Sequence, residues 1–213
     1  MRTRVKICGL TRLEDIDAAV AAGADAIGLV FYPPSPRFLS VEQAVELSAR
    51  VPPFVTKVGL FVNQDVDTVQ RISTAASLDL LQFHGEESEA YCRTFGRPYI
   101  KAARVRPGLD LLEFAASYPS AAGLLLDAYV ESYGGAGETF DWSMIPEKLP
   151  LPMILSGGLH DANVGAAIRR LHPWAVDVSS GVESRKGIKD AGKIVDFIAA
   201  VQHADSQNSL PVP

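Results

Sequence analysis

The chain has 213 residues, 47% of them hydrophobic and 21% charged, with a formal charge of -5. This balance argues against the basic face that nucleic-acid binding requires, and the longest apolar stretch, AAVAAGADAIGLVFY, is broken by Asp25, which argues against a membrane span. The apolar segment of MRTRVKICGL is too short for a signal peptide, and Cys8 and Cys92 form no familiar metal-ligand spacing with each other or with the four histidines, so a reducing, cytoplasmic setting is expected.

In chain order, VKICG (5–9) is the first apolar run, and the helix-like LEDIDAAVAAG follows it. Leu13, Ile16, Ala19, Val20 and Ala24 of that segment can share one face. Thr11 and Glu14 have the T-x-x-E spacing of a capping box, which places the helix start just after Cys8-Gly9. AIGLVF (26–31) precedes VEQAVELSAR, TKVGLFV (56–62) precedes DVDTVQRISTAA, and LLQFHG (80–85), YIKAARV (99–105) and GLLLDA (123–128) follow. MILSGG (153–158) leads into NVGAAIRRLH, and AVDVSSGV (175–182) into DAGKIVDFIAAV. Most of these runs are apolar throughout rather than alternating, as parallel strands covered on both faces should be. Strand and helix repeating about eight times, at about 27 residues per unit, suggest a single (β/α)8 barrel with trimmed loops. An open doubly wound sheet is the competitor; the even spacing and the lack of a linker favour the barrel. The barrel is expected over residues 1–201, with 202–213 a frayed polar tail.

In such barrels, chemistry gathers at the C-terminal ends of the strands. Cys8 ends strand 1, His84 strand 4 and Asp127 strand 6. SGG, with Gly157 and Gly158, ends strand 7, and SSG, with Ser179, Ser180 and Gly181, ends strand 8. Small residues on these two adjacent loops let backbone N–H groups approach a phosphate, although tight turns alone would also use them. Asp127 fits a general acid or, more plainly, a loop aspartate. Arg37, in the proline-stiffened FYPPSPRFLS, could grip a carboxylate with both arms of its guanidinium or simply face solvent. Cys8 is either a core thiol or a base, and His84 either a substrate contact or a satisfied structural histidine. The glycine-rich YVESYGGAGETFDW could fold over a ligand.

Taken together, VKICGLTRLEDIDAAVAAGADAIGLVFYPPSPRFLS, QFHG (82–85), LLLDA (124–128), YGGAGETFDW (133–142), SGGL (156–159) and DVSSGVE (177–183) resemble the phosphoribosylanthranilate isomerase family of tryptophan biosynthesis, from about residue 5 to about residue 200. The resemblance implies a (β/α)8 barrel that catalyses an Amadori rearrangement of a small phosphorylated substrate without cofactor or metal. It further implies Cys8 as general base, Asp127 as general acid, Arg37 on the anthranilate carboxylate, SGG and SSG on the phosphate, and Asp177 near the sugar hydroxyls. Monomer and homodimer both remain open. Phe83 departs from the family's usual Leu, with an effect expected on packing only; Ala136 replaces a usual Thr or Ser, and Lys186 a frequent Pro. The rival functions are another phosphate-binding barrel enzyme, such as an indole-glycerol-phosphate synthase, and a silent barrel that only binds a phosphorylated metabolite.

Overall fold

Each of the eight apolar runs forms a strand in the computed structural model, which describes residues 2–128 and 141–208. The strands are β1 (Arg4–Cys8), β2 (Ala26–Val30), β3 (Thr56–Phe61), β4 (Leu80–Phe83), β5 (Tyr99–Val105), β6 (Gly123–Ala128), β7 (Met153–Leu155) and β8 (Ala175–Val178). They close into a barrel in sequence order, and every neighbouring pair is parallel. β7 and β8 are shorter than their apolar runs. Gly157 and Gly158 turn to φ 79° and 62°, left-handed values that no strand tolerates, so SGG leaves the sheet as a loop.

Side-chain alternation along the strands separates two apolar regions. Outward residues such as Val5, Ile7, Ile27, Leu29, Phe61, Phe83 and Val176 pack against helix residues including Ile16, Leu47, Val69, Ile168 and Phe197. A second cluster, Ile100, Ala102, Leu125, Ile154 and Ala175 with Leu80, is drawn from strands alone and fills the lower lumen. Phe83, the departure from the usual Leu, joins a group of rings with Phe61, Tyr91, Phe95 and Tyr99.

The helices are α1 (Leu13–Ala22), α2 (Val41–Arg50), α3 (Val66–Ala75), α4 (Glu89–Arg93), α5 (Leu111–Ala116), α6 (Asp161–Leu171) and α7 (Ala191–Asn208). Ser40 and Gln43 form a true capping box on α2, and Asp65, Ser88 and Asp110 cap α3, α4 and α5. The capping box expected at Thr11 does not form. Arg12 is the N-cap, without a side-chain cap bond, because the Thr11 hydroxyl donates instead to the Gly187 carbonyl. Between β6 and β7 the described residues contain only a 3-10 turn, Trp142–Met144. The boundary drawn at residue 201 also needs correction, since α7 runs on to Asn208. Val201 and Ala204 remain buried on it, and the Asp205 carboxylate accepts both the N–H and the hydroxyl of Thr3 at 2.7 Å, tying the last turns to the start of β1. Residues 209–213, the glycine-rich stretch 133–140 and its Ala136 lie outside the described residues. Among the described residues, no helix is long and apolar enough to cross a membrane.

One buried ion pair lies outside the lumen. Lys101, on the outward face of β5, donates to the Glu87 carboxylate at 3.0 Å and to the Gly85 carbonyl. Glu87 also accepts the N–H groups of Asn63 (2.7 Å) and Gly85 (2.9 Å), which joins the loops after β3 and β4. Both side chains are almost wholly shielded from water, so removing one partner strands a charge. Lys101→Met is expected to lower stability by about 3–5 kcal/mol in urea denaturation, and adding Glu87→Gln should recover part of that loss.

Candidate active site

On β1, Val5 and Ile7 are committed to the outer core, so Lys6 and Cys8 face the lumen. Lys6 Nζ donates to Asp177 Oδ1 on β8 at 2.7 Å, and the Ser156 hydroxyl, just past β7, donates to Asp177 Oδ2 at 3.1 Å. Register places Cys8 opposite Gly28 of β2. A β-carbon at Gly28 would lie 2.7 Å from Cys8 Sγ and 3.1 Å from Lys6 Nζ, so the missing side chain is the space the thiol and the ammonium occupy. Burial pushes the Cys8 thiol up; Lys6 pulls it back, Asp177 opposes that, and Lys189 adds a smaller pull, with a net upward shift. Burial disfavours the charged form of Lys6, but Asp177 and Cys8 outweigh it and the ammonium holds its proton more tightly than usual.

Across the mouth, Asp127 ends β6. Its Oδ1 accepts the N–H of Ala128 at 3.0 Å, and its Oδ2 lies 3.1 Å from His84 Nε2. The Gln82 amide nitrogen lies 3.0 Å from His84 Nδ1. With that amide donating, the imidazole carries its proton on Nε2 and donates it to Asp127. His84 is thus both a satisfied histidine and a direct partner of the proposed acid.

Arg37 is buried, and its guanidinium already grips a carboxylate. Nε and Nη2 donate to Glu183 Oε1 and Oε2 at 2.7 and 2.9 Å. Nη1 has no hydrogen-bonding partner among the described residues. Gly9 makes this approach possible, since a β-carbon there would sit 2.3 Å from Arg37 Cδ. Lys189 Nζ donates to the same Glu183 Oε1 and to the Ser179 carbonyl, both at 3.0 Å. Burial raises the Glu183 carboxyl, but the Arg37 hydrogen bond and Lys189 more than offset it and the net direction is down. Lys189 is lowered by burial, which its Glu183 partner only partly offsets.

The two small-residue loops meet. A β-carbon at Gly181 would lie 2.0 Å from the Leu159 carbonyl oxygen, and one at Gly157 would lie 2.6 Å from Ala128 N. A 3-10 turn, Ser180–Val182, follows β8, and a hairpin of β9 (Glu183–Arg185) and β10 (Ile188–Lys189) carries on to α7. The N–H groups of Gly157, Gly158, Ser180 and Gly181 have no acceptor among the described residues, and all four positions are half-buried. Four such donors on touching loops are what an anion needs. Lys186 is exposed in the β9–β10 turn.

The structure therefore brings Cys8, Asp177, Arg37 and Ser179 together on the β8–β1–β2 side of the mouth, and His84 with Asp127 on the β4–β6 side. Sequence reasoning missed Lys6, Gln82, Ser156, Glu183 and Lys189. Only Lys6 left a signal, as a charge inside an otherwise apolar run. Among the described residues, no three His, Cys, Asp or Glu side chains converge as a metal site would require.

The family described as N-(5'phosphoribosyl)anthranilate (PRA) isomerase matches residues 5–200. The N-(5'-phosphoribosyl)anthranilate isomerase of Dechloromonas aromatica (strain RCB) is 63% identical over 96% of this chain and 99% of its own. A crystal structure of phosphoribosyl anthranilate isomerase from Thermotoga maritima superposes with a TM-score of 0.87 at 43% identity, covering 94% of this chain and 99% of that one. A further phosphoribosyl anthranilate isomerase, solved in complex with reduced 1-(o-carboxyphenylamino)-1-deoxyribulose 5-phosphate, has a TM-score of 0.81 at 39% identity over 94% of this chain and 99% of its own.

Because Gly28 makes room for the thiol, Gly28→Ala is expected to overpack the mouth and cost about 1–3 kcal/mol in urea denaturation. Combining it with Cys8→Ala, which removes the sulfur it meets, should recover part of the loss.

Proposed function

The chain belongs to the N-(5'-phosphoribosyl)anthranilate isomerase family, and on that premise we propose how it carries out the Amadori rearrangement of N-(5'-phosphoribosyl)anthranilate to 1-(2-carboxyphenylamino)-1-deoxyribulose 5-phosphate in L-tryptophan biosynthesis. Cys8 is the base and Asp127 the acid. The observation that carries this reading is the order of groups around the mouth. Asp127 on β6 and Cys8 on β1 are separated by the loops after β7 and β8, which hold the four N–H donors that lack an acceptor among the described residues. A sugar phosphate anchored on those loops has the carboxyl on one side and the thiol on the other.

The reaction proceeds in two proton-transfer stages. Asp127 gives a proton to the ring oxygen as the bond from that oxygen to C1 breaks, and the nitrogen lone pair forms the Schiff base. The Cys8 thiolate then removes the proton on C2, whose acidity the Schiff base has raised, and the electron pair moves through C1 to the nitrogen. The resulting enolamine takes a proton at C1 and loses one from the C2 hydroxyl, so C1 is reduced and C2 oxidised within one molecule. Gly157, Gly158, Ser180 and Gly181 hold the phosphate. Arg37 offers Nη1 to the anthranilate carboxylate while Glu183 fixes its other edge. Asp177, anchored by Lys6 and Ser156, meets the sugar hydroxyls, and His84 orients the Asp127 carboxyl. Gripping both charged ends of the substrate places the reacting carbons without help from solvent. The relative with a reduced product analogue bound supports this substrate class.

Cys8→Ala and Asp127→Asn should each lower kcat by about a hundredfold or more, with melting temperature little changed, when loss of substrate fluorescence is followed on purified protein. Near-full turnover of Cys8→Ala would remove the base assignment. Since the thiol is shifted upward and must be ionised to act, kcat/KM should climb with pH through the neutral range and level off only above the ordinary thiol value. A rate that falls with pH across that range would contradict thiolate as the base.

A further inference from the structure

Lys6 takes no part in the proton transfers above, yet it is buried beside the group that does. We infer that Lys6 is a positioning residue for the base: its ammonium, held by Asp177, is the counter-ion against which the Cys8 thiol gives up its proton. This rests on the reading of Cys8 as base and goes beyond it.

A thiolate formed in a buried site is unfavourable unless a cation faces it. Three cationic side chains stand on the β8–β1–β2 side of the mouth, and two are already engaged. Arg37 spends Nε and Nη2 on Glu183, and Lys189 donates to Glu183 and to Ser179. Lys6 donates to Asp177 Oδ1 at 2.7 Å, and an ammonium has three hydrogens to donate. The thiol is at hand for the remaining hydrogens: Nζ and Cys8 Sγ lie 3.1 and 2.7 Å from one point, the place a Gly28 β-carbon would take, and a hydrogen bond from Lys6 is among the influences that favour the thiolate.

The charged groups that face Cys8 are Lys6 on its own strand, Asp177 on β8 and Lys189 on β10. After burial, Lys6 is the largest influence on the thiol and acts to ionise it, ahead of Lys189, while Asp177 opposes. Asp177 has a second effect, which is to keep Lys6 protonated in a buried site. Ser156 completes the line by holding the far oxygen of Asp177. The arrangement Cys8, Lys6, Asp177, Ser156 therefore spans β1, β8 and the end of β7, with the ammonium between the thiol and the carboxylate.

The test reads the thiolate itself. Its ultraviolet absorbance, taken as the difference between the protein and its Cys8→Ala variant, is titrated against pH beside the kcat/KM profile. Lys6→Met should move the thiolate midpoint and the rising limb of kcat/KM upward together by about one to three pH units. That corresponds to a loss of about tenfold or more near neutral pH, with most of kcat regained on the alkaline side. Should Lys6→Met fail to fold with Asp177 uncompensated, the neutral pair Lys6→Met with Asp177→Asn gives the same titration and is expected to shift in the same direction. A midpoint left unmoved by the loss of Lys6, in a protein whose Cys8→Ala variant is inactive, overturns the role of Lys6 alone. Full turnover in Cys8→Ala overturns the base assignment beneath it.

Discussion

β1 is hydrogen-bonded on both edges, to β2 and to β8, and that double pairing closes the sheet. It also decides which way every side chain of β1 points. Val5 and Ile7 are held in the outer core by α1 and α7, so Lys6 and Cys8 have only the lumen to enter. A slip of one residue would exchange the two sets, placing an ammonium and a thiol against the helices and two aliphatic side chains in the mouth. Opposite Cys8, the same register brings in Gly28, whose missing side chain leaves the space the sulfur needs. The chemistry at the top of β1 thus follows from a packing constraint along its whole length.

Buried charge pairs seldom stabilise a fold beyond what a well-packed apolar group would do, so their location is informative. The lower lumen is apolar, with Ile100, Ala102, Leu125, Ile154 and Ala175. Charges begin one layer higher, with Lys6 and Asp177, and continue to the rim with Arg37, Glu183 and Lys189. This gradient places the costly groups where a ligand can use them and leaves the closed end to hydrophobic packing. The Lys101–Glu87 pair is the exception. It faces the helix side and secures the turn that presents His84, so it serves the mouth from outside.

The strands were legible because parallel strands covered on both faces read as unbroken apolar runs, and all eight runs lie in the closed barrel. Helices of ten or more residues, such as α1, α2 and α3, were equally legible from their spacing. α4 and α5, at five and six residues, are too short for a period to register. The Thr11 capping box failed for a different kind of reason. Its hydroxyl found an acceptor 176 residues away, at Gly187, and no local pattern encodes that contact. The site divides along the same line. Cys8, His84, Asp127 and the two small-residue loops were visible as strand ends, which is a local property. Glu183 and Lys189 gain their meaning from Arg37 and Ser179, so only the folded chain reveals them, and Lys6, visible as a charge in an apolar run, finds its partner Asp177 171 residues on.

These long-range contacts settle the electrostatics of the mouth. The chain as a whole is acidic, at -5, yet its β8–β1–β2 side concentrates three cationic side chains, Lys6, Arg37 and Lys189, against two carboxylates, Asp177 and Glu183. Four backbone N–H groups without acceptors among the described residues add their partial charges on the adjoining loops. A low-dielectric cleft focuses such an excess, so a substrate bearing a phosphate and a carboxylate is drawn to this side of the mouth despite the charge of the whole. Asp127 stands on the other side, next to His84. On the proposed roles, the sign separation across the mouth would orient the substrate before any proton moves, with its charged ends toward β7, β8 and β2 and its reacting carbons between the carboxyl and the thiol.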